Sequence, residues 1–321
     1  MSDAVSPFAI GAGNLFGPAH LGQALDATVE LAWEPGWAPL FLSRLMSLCE
    51  TLRDQEGPAG WQNILTRMQA HPVRRLVHED PVCALAYATA GQDLPRLLDM
   101  VTGHPSAAAA LETSRAGLDL MAATVELGHF AAMRAVPRYL ARVIDTVADQ
   151  KPGAEILTLG AGYLREAEHV RQRARIGRWV AQDGRREALQ VLRHDVPAGL
   201  PVRTLHCGLP HFARKPYQRG AFDLITLALL PDDHPPRRLR ELVESSFDAL
   251  KPGGLLLLGS VAEAPPEAAF LEALLRLAPR WRRPEEMEDL LTGLPAAKVA
   301  RRRLFRGPGG RRLYALIDRV G

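Results

Sequence analysis

A glycine-containing turn and a later acid are the residues whose types and spacing best indicate ligand binding. The apolar run 156–159 leads into the sequence Gly-Ala-Gly at 160–162, after which a helical pattern begins. Glycines at the end of a buried strand let the backbone approach a ligand at the carboxyl edge of a parallel sheet. Asp183 ends the next apolar run, 21 residues after Gly162, close to the spacing of about 20 residues at which an acid meets a ribose hydroxyl. The pattern predicts a nucleoside cofactor, and a plain strand-to-helix turn is the alternative.

An arginine separates this pattern from the dinucleotide fingerprint. Arg165 stands where the third glycine of Gly-x-Gly-x-x-Gly would be. A dinucleotide needs the close approach that this glycine allows, because its pyrophosphate lies against the loop. S-adenosylmethionine has no phosphate and does not need it, so the departure favours that cofactor.

A second group of polar residues could carry acid–base chemistry. Asp232, Asp233 and His234 follow the apolar run 222–230, where a strand of the predicted sheet ends. A carboxylate or an imidazole at that position could remove a proton from a substrate hydroxyl or amine. The alternatives are a solvated loop histidine and, for Asp232, a cap on the helix that follows.

The secondary structure that the sequence predicts around these residues changes near residue 150, from helices alone to alternating strands and helices. From residue 37 to residue 149, apolar residues recur at helical spacing without a strand pattern. After residue 153, short apolar runs alternate with helical stretches, including one at 163–174, and this is typical of a parallel sheet covered by helices. Residues 296–320 predict two strands joined by a Gly-Pro-Gly-Gly turn. We therefore predict an α/β protein: an all-α N-terminal cap domain, 1–149, and a domain, 150–321, with a mostly parallel sheet closed by an antiparallel C-terminal hairpin.

The ordered motifs of the second domain resemble those of the class I S-adenosylmethionine-dependent methyltransferases, which have a Rossmann-like sheet. The motifs are the glycine turn, Asp183, the acidic loop at 231–234 and the Pro-Gly-Gly turn at 252–254. The resemblance implies S-adenosyl-L-methionine as cofactor and Asp232, Asp233 and His234 as catalytic candidates. It also implies these cofactor-binding residues: Gly160, Ala161, Gly162, Glu166, Asp183, Gly184, Gly208, Leu209, Leu229 and Tyr139.

Four polar residues acquire a second interpretation from this resemblance. His206 and His211 follow the third predicted strand, where the class contacts the adenine edge, but packing or solvent also explains them. Arg138 and Tyr139 lie on the helix before the first strand and could cover the cofactor's carboxylate, although an exposed arginine and a packed tyrosine would look the same. No Asp, Glu and His set has metal-ligand spacing, and we predict no metal.

A narrower resemblance involves the N-terminal half. Residues 71–101 are similar to the segment before the catalytic domain in the bacterial extracellular factor 3-hydroxypalmitic acid methyl ester biosynthesis family, a group of quorum-signal methyltransferases. The matching positions are Asp80-Pro81, Gly160, Gly162, Glu166, Gln182-Asp183, Asp232 and Pro252-Gly253-Gly254. The segments that would face the methyl acceptor depart from the family: a longer motif is reduced to ATAGQD at 88–93, and Ala161 and Tyr163 replace a cysteine and a proline. The resemblance therefore does not imply a fatty-acid substrate.

Composition excludes several classes of protein. With 47% hydrophobic and 23% charged residues in 321, the chain has the composition of an ordinary globular protein. Three distant cysteines argue against a disulfide framework and a zinc module. No uncharged apolar run approaches the roughly 18 residues that cross a bilayer, and the first residues lack the basic segment of a signal peptide. We therefore expect a cytoplasmic protein without a membrane span.

Charge is divided unequally along the chain. Residues 1–150 hold 10 Arg against 16 Asp and Glu, a net charge of −6, and residues 151–321 hold 29 Lys and Arg against 20 Asp and Glu, a net charge of +9. A basic half can indicate nucleic acid or an anionic substrate. Because the arginines mostly alternate with acids along helices, solvated helix faces explain them better than a nucleic-acid partner.

These observations favour a methyltransferase for a small-molecule acceptor, such as a carboxylate, hydroxyl, amine or thiol, in secondary or signal metabolism. The departures on the acceptor side leave a non-catalytic binding or scaffold protein open. Transfer of the aminocarboxypropyl group also stays open, since a cofactor site does not determine which carbon is attacked. The acceptor and the oligomeric state, including a homodimer, are not determined by the sequence.

Overall fold

The computed structural model describes residues 18–33, 36–110, 113–232, 234–262, 264–307 and 309–321. The helices are α1 Pro18–Val29, α2 Trp37–Ala70, α3 Val73–Val77, α4 Pro81–Thr89, α5 Leu94–Thr102, α6 Arg115–Thr124, α7 Gly128–Gln150, α8 Glu166–His169, α9 Arg186–Asp195, α10 Leu209–Arg214, α11 Pro236–Ala249, α12 Ala268–Leu275 and α13 Pro284–Asp289. The strands are β1 Ala154–Leu159, β2 Ile176–Asp183, β3 Val202–His206, β4 Phe222–Leu227, β5 Leu250–Val261, β6 Val299–Arg306 and β7 Arg312–Arg319.

The chain forms two compact units, and neither is one continuous segment. The first contains the described residues of Met1–Ala90, Leu111–Thr124 and Pro266–Leu277. The second contains those of Gly91–Ala110, Val125–Pro265 and Ala278–Gly321. The first unit is therefore built from α1–α4, α6 and α12, and the second holds the sheet together with α5 and α7.

In the first unit, helices pack through buried apolar faces. α2 buries Phe41, Leu45 and Leu52 completely and packs against α12. Within α2, Gly57 adopts a left-handed conformation, with φ 64°, and Pro58 begins a second helical segment, as proline's fixed φ allows. Asp80 is the N-cap of α4: its carboxylate accepts a hydrogen bond of 2.8 Å from the amide of Val82. The Asp-Pro pair noted in the sequence thus begins a helix.

The second unit is organised around a seven-stranded sheet with the order β3-β2-β1-β4-β5-β7-β6. β1 to β5 are parallel, and β7 runs antiparallel to both of its neighbours, β5 and β6. Every residue of β4 is buried, because helices cover both faces of the sheet and the strand has no solvent side. The predicted mostly parallel sheet with an antiparallel C-terminal hairpin is confirmed.

Helices on the two faces of this sheet form separate cores. One face packs Phe247 of α11 and Phe212 of α10 against β4 and β5. The other packs Ile144 and Val147 of α7 against β1 and β2. The predicted boundary between residues 149 and 150 falls at the last residue of α7, within this unit, and the role of residues 1–149 as a cap stays a prediction.

One predicted helix is much shorter in the structure. The sequence pattern predicts a helix over 163–174, but α8 spans only four residues. Leu164, before it, has a left-handed φ of 56°. After it, the amides of Arg171 and Gln172 donate to the carboxylate of Asp145 on α7, each at 2.9 Å, instead of to carbonyls of a continuing helix. The prediction was wrong because apolar spacing does not show where tertiary hydrogen bonds replace helical ones.

Candidate functional site

A cavity lies where the strand order of the sheet reverses. β1 and β4 are neighbours, and their helical connections lead to opposite sides of the sheet, which is where parallel α/β sheets bind ligands. The cavity has a volume of about 520 Å³, in the range of small-molecule sites. Its walls are the turn after β1, the segment after β4, residues of α5 and α7, and Arg312 at the start of β7.

The turn after β1 directs three consecutive amides towards β2. Gly160 donates to the side-chain oxygen of Gln182 at 3.1 Å, and Ala161 donates to the backbone oxygen of Gln182 at 2.8 Å. Gly162 donates to the carboxylate of Asp183 at 2.8 Å. Gly160 and Gly162 have φ of 63° and 54°, which glycine adopts without strain. Because these amides already donate hydrogen bonds within the protein, they are not available to bind a phosphate group.

Asp183 closes the carboxyl end of β2 and is only 3% exposed. Its carboxylate also accepts hydrogen bonds from Arg185, at 2.8 Å from the backbone amide and at 3.0 Å from Nε and Nη2. Burial alone would raise the pKa of Asp183, but the hydrogen bonds and charge of Arg185, together with the Gly162 amide, hold it below its usual range. Asp183 is therefore a fixed carboxylate, with Arg185 between it and the cavity wall.

Glu166, at the start of α8, lines the same cavity and is 6% exposed. Burial raises the pKa of its carboxyl group from 4.5 to about 7, the negative charge of Glu168 contributes, and a backbone hydrogen bond partly opposes the shift. The group therefore changes charge near neutral pH and would bind a positively charged ligand atom in its ionised form.

The raised pKa of Glu166 predicts a pH-dependent stability. The folded state holds a proton on this group that the unfolded state has released, so the free energy of unfolding falls as the pH rises from 4.5 to about 7. Over this pH range, the free energy of unfolding of Glu166→Gln is expected to fall by about 3 kcal/mol less than that of the wild type. Urea unfolding of both proteins at several pH values measures it. Glu187→Gln, an exposed carboxylate on α9, is the control and should keep the wild-type decline; an unchanged decline in Glu166→Gln would contradict the assignment.

Arg165 fills the position of the missing third glycine and forms a buried ion pair. It is 4% exposed, and its Nε and Nη2 donate to the two carboxylate oxygens of Asp99 on α5, each at 2.7 Å. It also contacts Glu168 at 3.0 Å and Asp195 at 2.9 Å. These carboxylates outweigh the effect of burial and raise the pKa of Arg165. The arginine thereby connects the glycine turn to α5.

The segment after β4 is held by another buried arginine. Arg282 donates to the Pro231 carbonyl and the Ser260 hydroxyl, each at 2.9 Å, and to the Asp232 carboxylate at 3.3 Å. Asp232 lines the cavity, so its charge faces both Arg282 and the ligand space. His234 is half-buried and lies outside the cavity lining, and Asp233 lies outside the described residues.

Among the solved structures that resemble this chain are two that match it along most of its length. A possible exported protein from Bordetella parapertussis matches with a TM-score of 0.55 at 15% identity, over 90% of this chain and 98% of that one. A proposed methyltransferase from Thermobifida fusca YX matches with a TM-score of 0.50 at 15% identity, over 71% of this chain and 94% of that one. The fold is that of the class I methyltransferases. No protein-family profile matches the sequence, and no curated protein matches it.

Within this class I methyltransferase fold, the predicted cofactor residues form two groups. The residues that line the cavity are Gly160, Ala161, Gly162, Glu166 and Leu229. The residues at the ends of β2 and β3 are Asp183, Gly184, Gly208 and Leu209, which lie outside the cavity lining. A Cβ on Gly184 would lie 3.4 Å from the Cα of Gly208, so the two glycines allow a close approach of these strand ends.

Other polar candidates lie away from the cavity. Tyr139, predicted to bind the cofactor, stacks on Tyr314 with ring centroids 4.6 Å apart and lies outside the cavity lining. α7 directs the Tyr139 side chain towards β7, where the side chain of Tyr314 covers it. Arg138 is exposed, as are His206 and His211. His206 contacts the Gly184 carbonyl at 3.1 Å.

The sequence interpretation missed residues that form much of the cavity wall. α5 and α7 contribute apolar side chains, and Arg185 and Arg312 contribute charges. The apolar stripes of the two helices indicated core packing and did not distinguish a cavity wall. Arg312 did carry a signal, because it opens a strand whose next five residues are all apolar.

Two further observations apply to the described part of the chain. No helix in it is both long and apolar enough to cross a membrane. No group of three or more His, Cys, Asp or Glu side chains in it is arranged to hold a metal ion.

Proposed function

We propose that this protein is an S-adenosylmethionine-dependent methyltransferase that acts on a small-molecule acceptor. The observation that carries the proposal is the glycine turn, whose three amides bond to β2 while its outer side lines a cavity. A nucleotide with a pyrophosphate would need those amides. A nucleoside cofactor without phosphate does not, and the class I methyltransferase fold is consistent with that choice.

The residues present fit this cofactor in charge and in hydrogen-bonding capacity. The cofactor carries an ammonium and a sulfonium, and the Glu166 carboxyl group in the cavity wall can balance a positive charge. Asp183, at the end of β2, is the acid placed to accept hydrogen bonds from ribose hydroxyls once Arg185 moves aside. When bound, S-adenosylmethionine supplies a methyl group that its positive sulfur has already activated.

The chain's own contribution would be to align the acceptor and to exclude water. α5 and α7 place Leu98, Met133 and Pro137 in the cavity wall, and these side chains offer a dry, apolar surface. Alignment of two reactants in such a site supplies much of the rate of a transfer between them. For a hydroxyl or amine acceptor, Asp232 is positioned at the cavity to orient the group or to accept its proton, and a carboxylate acceptor needs no base at neutral pH.

Calorimetry with S-adenosylhomocysteine and S-adenosylmethionine tests the cofactor assignment. We expect micromolar binding of both, and no binding of NADH or ATP, because the amides of the glycine turn are not available to phosphate. Equal or tighter binding of NADH would contradict the proposal.

A labelled-cofactor screen tests the reaction. S-adenosylmethionine labelled in the methyl group, and separately in the carboxyl group, is incubated with small carboxylates, phenols, amines and thiols. Transfer of the methyl label alone is the expected result. Transfer of the carboxyl label would instead show aminocarboxypropyl transfer, and cofactor binding without transfer of either label would indicate a non-catalytic binding protein.

A further inference from the structure

Arg312 is a buried cation in the wall of the cavity. It is the first residue of β7 and is 6% exposed. Burial lowers the pKa of its guanidinium, while the Tyr314 hydroxyl and the negative charge of Asp232 oppose that shift. An arginine remains charged at neutral pH even so, and a buried charge is stable only with a partner.

Three of the other ionisable residues in the cavity wall are paired. Arg165 is paired with Asp99, Arg185 with Asp183, and Asp232 with Arg282. For the guanidinium of Arg312, the described residues supply neither an ion pair nor a hydrogen bond. Among the described residues, Asp232 is thus a compensating charge for Arg312, and it is shared with another arginine.

Two other described titratable residues that interact with Arg312, His129 and Tyr314, do not supply a negative charge. Burial, reinforced by the positive charge of Arg312, lowers the pKa of His129 to about 3, so this histidine is neutral. Burial raises the pKa of Tyr314 to about 12, so its hydroxyl stays protonated. A negatively charged group that entered the cavity would therefore be attracted to Arg312, whose charge is only partly compensated by Asp232.

The position of Arg312 in the sheet assigns it to the acceptor side of the cavity. It pairs with Val261 at the carboxyl end of β5, and β7 is three strands from β1 in the order β1-β4-β5-β7. At about 4.8 Å per strand, this places it roughly 14 Å from the glycine turn. Asp183, the candidate ribose ligand, lies on the opposite side of β1, at the end of β2. A cofactor that extends from the turn towards β2 leaves Arg312 to the molecule that approaches from the β4 and β7 side.

We propose that Arg312 binds a carboxylate of the methyl acceptor, so that the acceptors are small organic acids with an apolar body. The inference rests on the proposed methyltransferase function and specifies its substrate class. A guanidinium offers two parallel N–H donors that match the two oxygens of a carboxylate. A phosphate dianion fits less well, because Asp232 and Glu166 in the same wall would repel its second charge. The apolar side chains of α5 and α7 would surround the rest of the molecule.

The test compares Arg312→Met with wild type, and Arg301→Gln, an exposed arginine of β6, is the control for net charge. The probes are carboxylates and their matched neutral amides, benzoate with benzamide and octanoate with octanamide, together with benzenephosphonate. Binding is measured by calorimetry and by thermal shift, with and without S-adenosylhomocysteine. We expect the wild type to bind at least one carboxylate roughly ten- to hundredfold more tightly than its amide, and Arg312→Met to lose that preference. Arg301→Gln should keep it.

Two further readouts separate this role from a structural one. Without ligand, Arg312→Met should raise Tm by a few degrees, because it removes a buried charge to which the described residues supply no direct partner. Its affinity for S-adenosylhomocysteine should stay within about twofold of wild type. A loss of cofactor affinity parallel to the loss of carboxylate binding would overturn the proposal in favour of a cofactor contact.

Other results would overturn the proposal directly. These are equal binding of amides and carboxylates by the wild type, tenfold tighter binding of the phosphonate than of benzoate, absence of binding of every carboxylate, and an unchanged preference in Arg312→Met. Because the carboxylate titrations are also made without cofactor, failure of S-adenosylhomocysteine to bind would refute the proposed function while the carboxylate preference is still measured.

Discussion

Arg165→Met is expected to lower the free energy of unfolding by about 3–5 kcal/mol, the usual result of breaking a buried ion pair by removing one partner. The substitution leaves the Asp99 carboxylate, which is 2% exposed, without the two hydrogen bonds of 2.7 Å that balance its charge. Because Arg165 follows the glycine turn directly, the affinity for S-adenosylhomocysteine should fall as well. Urea unfolding and calorimetry on the same preparations measure the two effects.

The control for this experiment is an ion pair of the same type at the surface. Arg175 lies 3.3 Å from Asp149, and their side chains are 43% and 64% exposed. Arg175→Met should therefore change stability by at most about 1 kcal/mol. In the double variant Arg165→Met/Asp99→Leu, part of the lost stability should return, since the buried Asp99 charge is removed and Glu168 and Asp195 are partly exposed. Equal losses in Arg165→Met and Arg175→Met would show that the buried pair does not stabilise the unit.

Asp183→Ala is expected to weaken binding of S-adenosylhomocysteine by about 1–3 kcal/mol, roughly 5- to 150-fold. The carboxylate is the candidate ribose acceptor, and it also fixes the Gly162 amide at 2.8 Å, so both the ligand contact and the turn are lost. Asp183→Asn keeps an acceptor for that amide and should retain more stability than the alanine variant. Calorimetric titration of the two variants, with chemical denaturation, separates the ligand contact from the fold.

The pKa of Asp183 gives this prediction a pH dependence. Because its folded-state pKa is lower than the unfolded value of 3.8, the carboxylate stabilises the protein above that value and loses its contribution as the pH falls through the folded pKa. The stability difference between wild type and Asp183→Ala should therefore shrink on acidification below pH 4. Asp149→Ala, at an exposed position, is the control; equal effects of the two alanine variants would remove Asp183 from the site.

The sheet could be predicted from the sequence because its signals are local. Strands buried on both faces are continuous apolar runs, as in 222–230, and a Gly-rich turn between two β-rich runs indicates a hairpin. The division into two units could not be predicted in the same way. α5, α7 and α12 have similar apolar stripes, and a stripe shows that a helix packs without showing which element it packs against.

For the candidate site, the glycine turn and the acid at the end of β2 could be predicted, since their spacing along the chain reflects one βαβ unit. Arg165 and Arg312 were harder to interpret. Among 39 basic residues, the sequence does not show that Arg165, Arg282 and Arg312 are the buried ones, and burial decides whether an arginine connects elements, binds a ligand or faces solvent. The partner of Arg165, Asp99, is 66 residues earlier in the chain, beyond the reach of any local pattern.

The arrangement of the first unit along the chain determines when it can fold during synthesis. α2 ends at residue 70, but α12, which packs against it, ends at residue 275, after the five parallel strands of the other unit have been made. At a translation rate of about 5–20 residues per second, roughly 10–40 s separate the two helices at the ribosome. Throughout that interval the face of α2 that α12 will cover is exposed on the nascent chain. The early helices therefore depend on late translation, and a ribosome that stalls before residue 275 leaves them open to chaperones and proteases.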